Sequence, residues 1–310
     1  MPTPYAKPDV LSPFIIIPPL LLAMGAGLTA GVFAIKAGFF GSTPEAPFTT
    51  SAPQTIVVAP RTVSYRAPGE YTRGGYPVDA PMRTVSVEHP LTIMKHQVSK
   101  SDYARCVADG ACAAPEPEFS TPGQDDVPAT GVSFADARAY AAWLSRESGE
   151  TWRLPTDEEL VFAAGSRFPD DALGDAAGGG TNRADRWLEA YRRETSRGAG
   201  RDGIPKSLGQ FGDNEFGLSD FGGNVWEWTT TCFHRVNLDR AGPNLADTSS
   251  CGIQMVAGQH RAAMVYFVRN PKGGGCAVGA PPDNLGFRLV KEDRWYEPLL
   301  MALRKLHLIS

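Results

Sequence analysis

From Phe14 to Phe40 the chain reads FIIIPPLLLAMGAGLTAGVFAIKAGFF, apolar on every side and broken by one charge, Lys36, near its far end. A run of this length spans a bilayer as a helix. Its prolines and its glycines and alanines are residues that membrane helices tolerate and pack against one another. We expect a transmembrane anchor over residues 1–40. The run exceeds the apolar stretch of a cleaved signal peptide, although Ala23 and Ala26 leave a cleavage site open. Residues 41–62 are rich in Pro, Ser, Thr and Ala, show no apolar period, and read as a flexible linker.

Residues 63–295 carry the periodicity of a folded domain. Thr84–Ile93 alternates as a strand. Ser99–Val107 reads as a short helix, with Ser99 as N-cap and Asp102 three residues on, stopping at Asp109-Gly110. Phe134, Ala137, Tyr140, Trp143 and Leu144 form a helical stripe that Ser133 caps and Gly149 closes. A further helix starts at Thr156, where Glu159 completes a capping box and Asp157 and Glu158 suit the positive end of the dipole. Residues 296–310 form a short, basic, amphipathic tail.

The chain has 310 residues, 42% of them hydrophobic, and a net charge of −4. That is material for one sizeable domain, with no basic excess to attract nucleic acid. Cys106 and Cys112 flank the stop of the Ser99 helix, a spacing that suits a disulfide in an oxidising compartment. Three cysteines remain. Cys232, Cys251 and Cys276 allow several pairings and leave one thiol over, and the sequence does not choose among them. No Gly-x-Ser-x-Gly stretch occurs and the five histidines never take metalloprotease spacing.

The densest stretch is Gly212–Trp228, GDNEFGLSDFGGNVWEW, where turn glycines, carboxylates and tryptophans crowd together. It resembles the GxxGNxWEW core of formylglycine-generating enzymes, the sulfatase-modifying factors. Pro68–Pro81, Val132–Ala164 and Asn284–Leu289 (NLGFRL) match other motifs of that family in the same order. The resemblance implies an α+β domain of irregular C-type-lectin-like architecture, here with an N-terminal transmembrane helix. It also implies structural calcium at Asp220, Gly223, Val225 and Glu227: two carboxylates with two carbonyls between them, the all-oxygen shell that a hard cation takes. A second site would use Asn182, Arg183, Asp202 and Ile204. The alternative is a core strand entered through a glycine-rich turn, with Asp220 and Glu227 solvated, and two ordinary loop turns elsewhere.

One departure from the family bears on function. Its enzymes hold copper through two cysteines just before the NLGFR-like strand, a soft pair for a soft ion. Between Gly252 and Asn284 this chain has only Cys276, so copper is not expected. The remaining candidates for chemistry are Cys276 and His260, with Met255 and Met264 as softer neighbours. The resemblance is nearest to members that lack the copper pair, including a type associated with nitrite reductase. It implies a single-pass membrane protein whose domain lies in the periplasm or otherwise outside the cytoplasm, assisting the assembly or maturation of an envelope partner. The alternative is an oxidoreductase acting through a non-standard thiol or metal site.

Overall fold

The computed structural model describes residues 52–116, 124–172, 202–239, 247–274 and 281–292, together with Leu188, Arg192 and Leu303. The apolar run 14–40 and nearly all of the C-terminal tail lie outside these. Among the described residues no helix is long and apolar enough to cross a membrane.

Strands β1 (Thr55–Val58), β2 (Arg61–Arg66), β3 (Glu70–Arg73), β4 (Tyr76–Val78), β5 (Met82–Val87) and β6 (Leu91–Met94) precede the first helix. Among the described residues the first strand begins at Thr55, inside the stretch expected to be linker. The β-branched run Thr55-Ile56-Val57-Val58 pairs antiparallel with β6 and buries Val58 in the core, which offsets the cost of ordering it. The single strand expected over Thr84–Ile93 is two. Pro90, which has no N–H for a ladder, stands between β5 and β6. β5 then pairs with β2 in a two-stranded ribbon, while β6 joins a different sheet.

The three long helices appear with their expected caps. In α1 (Lys100–Ala108) the Ser99 hydroxyl accepts from the Asp102 amide. Both α2 (Phe134–Ser148) and α3 (Asp157–Ala164) carry complete capping boxes, Ser133 with Asp136 and Thr156 with Glu159. Gly149 ends α2 in the left-handed region, φ 70°, where a side chain would be strained. β7 (Trp152–Arg153) lies between α2 and α3. Strands β8 (Trp226–Asn237), β9 (Asp247–Ala257) and β10 (Arg261–Val265), the one-turn α4 (Pro271–Gly274), β11 (Leu285–Gly286) and β12 (Val290–Lys291) complete the elements.

One sheet runs β1-β6-β12-β7 and the larger one β10-β9-β8-β3-β4, with β11 alongside β8 in parallel. Ile93, Leu160, Phe162, Leu218, Phe221 and Val290 meet in one core cluster. Arg61 is drawn into its edge, the guanidinium lying 4.3 Å from the Phe162 ring centre and 3.9 Å from that of Phe216. This mixed, irregular α+β architecture is the one expected.

Two disulfides staple the fold. Cys106–Cys112 ties the end of α1 to the loop after it, as expected, and Cys232–Cys251 crosses from β8 to β9 with 4.6 Å between Cα atoms. The second resolves the open pairing. It sits where the β8–β9 register shifts on both sides of Cys232, so the bond holds the two strands at the point where the ladder is weakest. Replacing Cys232 and Cys251 together by serine is expected to cost about 3 kcal/mol of stability, given the length of loop closed. Denaturant titration measures it, and non-reducing peptide mapping should recover both linked pairs.

Candidate functional site

The Gly212–Trp228 stretch is held by its own polar side chains. Asn214 donates to the carbonyls of Ala163 and Ala164 and accepts from the amides of Phe216 and Leu218, which pins the turn to the end of α3. Lys95 reaches Asp213 at 2.8 Å. Asp220 stands in the left-handed region at φ 63°, the one non-glycine with positive φ among the described residues. Its carboxylate is fully buried and accepts from the amides of Gly209 (2.5 Å) and Phe211 (2.9 Å), with His96 Nδ1 3.8 Å away. These bonds explain why a non-glycine residue occupies a strained conformation: its side chain organises the preceding loop. Burial works to raise the Asp220 carboxyl, but His96 and the two amides outweigh it and hold it below the usual carboxylate range. Gly223 is needed for space, since a Cβ there would lie 2.6 Å from Cγ of Phe211.

The first four residues of strand β8 are then buried on both faces. Trp226 donates its indole N–H to the His260 carbonyl, and Trp228 donates to that of Val132. Glu227 between them is also fully buried, on the opposite face of the pleat. Its two oxygens accept from Nε and Nη2 of Arg288, each at 2.6 Å, and Gln97 donates to the same carboxylate at 2.8 Å. The other Arg288 hydrogens go to the carbonyls of Lys95 (2.8 Å), Met94 (3.3 Å) and Ser219 (2.9 Å). All five guanidinium N–H groups thus have acceptors inside the core.

This geometry gives both carboxylates of the expected calcium site at Asp220, Gly223, Val225 and Glu227 donors within the protein. Asp220 accepts from the Gly209 and Phe211 amides, with His96 Nδ1 3.8 Å away, and Glu227 accepts from Arg288 and Gln97. The alternative of a core strand entered through a glycine-rich turn describes the backbone, but Asp220 and Glu227 are buried and not solvated. Of the second expected site, Asn182 and Arg183 lie outside the described residues. Asp202 is exposed, accepts from the Ile204 amide and pairs with Lys206 at 2.5 Å, while the Ile204 side chain is 57% exposed.

His260 is buried and lies edge-on to Trp226, ring centres 5.3 Å apart. Cys276 lies outside the described residues. Met255 and Met264 are core residues on opposite faces of the β9–β10 ladder, because Met255 pairs with Ala263 and Met264 with Gln254. The two thioethers therefore cannot share one soft site. Among the described residues no group of three or more His, Cys, Asp or Glu side chains is placed to hold a metal ion.

A second charge cluster was not anticipated from sequence. Arg261, at the start of β10, pairs with Asp157 through two bonds of 2.8 and 2.9 Å and meets Asp171 at 3.3 Å, its guanidinium 4.6 Å from the Phe168 ring centre. Arg66 holds the neighbouring Asp170. Residues 168–171 are thereby strapped to β10 and β2. The signal for Arg261 and Arg288 was present in principle, since an arginine inside an apolar run requires a buried acid, but sequence could not say which one.

Residues 40–293 match the model of the sulfatase-modifying factor enzyme 1-like domain. The chain belongs to this family. It is 31% identical over 182 residues to a protein of Mycobacterium tuberculosis named formylglycine-generating enzyme, a match covering 53% of this chain and 57% of that protein. It is 30% identical over 166 residues to a Bos taurus protein named inactive C-alpha-formylglycine-generating enzyme 2, covering 53% and 50%. The matches thus span about half the length of these curated relatives. Among solved structures, PvdO from Pseudomonas aeruginosa aligns over 79% of this chain and 96% of its own, with a TM-score of 0.49 and 22% identity.

The Arg261 cluster generates a pH prediction. Burial, outweighing the pull of Arg261, pushes the Asp171 carboxyl up to about 6. A carboxyl raised above its unfolded value binds protons more tightly when folded, so the stability it confers is present in full below the unfolded pKa and is lost as pH rises through about 6. Asp171→Asn is therefore expected to melt above wild type at about pH 8, with the gap closing as pH falls toward about 4. A melting series across that range checks the sign.

Proposed function

We propose that this chain is a membrane-anchored, extracytoplasmic member of the sulfatase-modifying factor family that assists the assembly or maturation of an envelope partner and does not generate formylglycine by the copper route. The observation that carries the reading is the cysteine inventory. The chain has five cysteines, and four of them are committed to Cys106–Cys112 and Cys232–Cys251. Cys276 is left alone where two soft thiolates are required to hold Cu(I). A fold can persist after its chemistry is lost, because packing and catalysis rest on different residues.

The extracytoplasmic placement draws support from the two disulfides, which persist in oxidising compartments, and from the apolar run 14–40. The nature of the partner rests on the resemblance of the PPDNLGFRLV ending to members associated with nitrite reductase. The oxidoreductase alternative rests on the remaining thiol, Cys276.

Three measurements test this reading. A cysteine-containing sulfatase peptide incubated with the copper-loaded chain is expected to stay unmodified by mass spectrometry, and conversion at the rate of a true family enzyme would reverse the conclusion. After a carbonate wash the full-length chain should remain with membranes. Deleting the chain from its host should lower envelope nitrite reduction, and a Cys276→Ser copy should restore it. Failure of that copy alone would favour thiol chemistry.

A further inference from the structure

The fold of this family implies a cation at the junction of the glycine-rich turn and β8, and the geometry supplies one of a different kind. We propose that Arg288 is the built-in cation of this junction, so that the segment from Asp220 to Glu227 is closed by protein charge and takes up no calcium.

Three observations support this. First, both Glu227 oxygens already accept from the guanidinium at 2.6 Å, and Gln97 adds a further donor. A calcium ion on either oxygen would lie within about 5 Å of the guanidinium, given ordinary calcium–oxygen distances. Two cations that close in a site shut off from water repel strongly. Second, Arg288 does what a coordinated ion does: it gathers oxygens from separate parts of the chain. Its acceptors are the Met94 and Lys95 carbonyls at the end of β6, the Ser219 carbonyl in the turn, and Glu227 on β8. The guanidinium and the carboxylate are both completely buried. Third, Asp220, the other expected carboxylate ligand, is satisfied by the Gly209 and Phe211 amides beside His96. Both carboxylates of the junction thus have donors within the chain, and the Glu227 charge has its counterpart in Arg288.

A planar guanidinium also differs from an ion in what it demands. It fixes directions as well as distances, and it cannot be removed by a chelator or exchanged for another metal. The junction forms as the chain folds, without waiting for a ligand.

The test uses the full-length chain carrying Asp202→Ala, which removes an exposed side chain of the other expected calcium site, so that any remaining response reports on Asp220–Glu227. Melting curves in chelator, in millimolar calcium and in millimolar magnesium are expected to superimpose, and calorimetric titration with calcium should give no heat beyond dilution. A chelator-induced fall in Tm of several degrees that calcium reverses, and that Glu227→Gln abolishes, would overturn the proposal. In the wild-type background Arg288→Met should lower Tm by about 10 °C or more, because it strands a buried carboxylate. Glu227→Met with Arg288→Met should melt above Arg288→Met alone. A double variant melting no higher than the single one would mean that Arg288 acts by packing and not as the counter-charge of Glu227.

Discussion

Arg288 and Glu227 form the interaction on which the domain depends. A fully buried ion pair is tolerable only if every remaining hydrogen and lone pair finds a partner, since removing either charge costs about 3–5 kcal/mol through the orphan left behind. Here the requirement determines structure. The guanidinium must reach the carbonyls at the end of β6 and in the turn at Ser219, so these segments and β8 have to arrive at one point. Gln97, in the segment that follows β6, adds a further donor to the carboxylate. The pair joins residues 61 positions apart and fastens both to a segment some 190 positions from Arg288. Local helices and hairpins alone would not hold such a fold together, because it has few long regular elements.

The second tier of buried charge serves the periphery. Arg261 holds α3 through Asp157 and the strap through Asp171, and Arg61 fixes the entry strand between two phenyl rings. These arginines do with one side chain what a larger apolar core would otherwise do, burying long alkyl stems while their heads bridge elements. Two disulfides add constraint where the secondary structure is shortest or its register shifts. A domain built this way can vary its loops widely without losing its centre. This is consistent with a family in which some members are enzymes and one curated relative of this chain is named inactive.

For function, the decisive feature is what the centre does not reach. The motifs that carry the family resemblance, GGNVWEW and NLGFR, supply the tryptophans, Glu227 and Arg288, and all of these are consumed by the core. None is free to touch a substrate. The family resemblance assigns copper chemistry to a pair of cysteines just before the NLGFR-like strand, and between Gly252 and Asn284 the sequence has only Cys276. Fold and catalysis are separable here because they draw on different residues, and the strength of the motif match measures only the first.

Several features were legible in the sequence because they are local. Ser99, Ser133 and Thr156 each announce a helix start through a bond made within one turn, Gly149 announces a stop through a backbone angle, and Cys106 reaches Cys112 across a single loop. The lone Cys276, which governs the functional reading, is a matter of counting. What the sequence misjudged depends on partners far away along the chain. Thr55–Val58 looked like linker because its pairing strand lies about thirty-five residues on. Met255 and Met264 looked like neighbours until the ladder put them on opposite faces. Asp220 and Glu227 keep the spacing of a calcium shell, but spacing along a strand does not reveal which protein groups stand against each carboxylate. Only the folded chain brings Arg288 to Glu227 and the loop amides to Asp220, and a carboxylate's role is set by whatever positive charge the tertiary structure places against it.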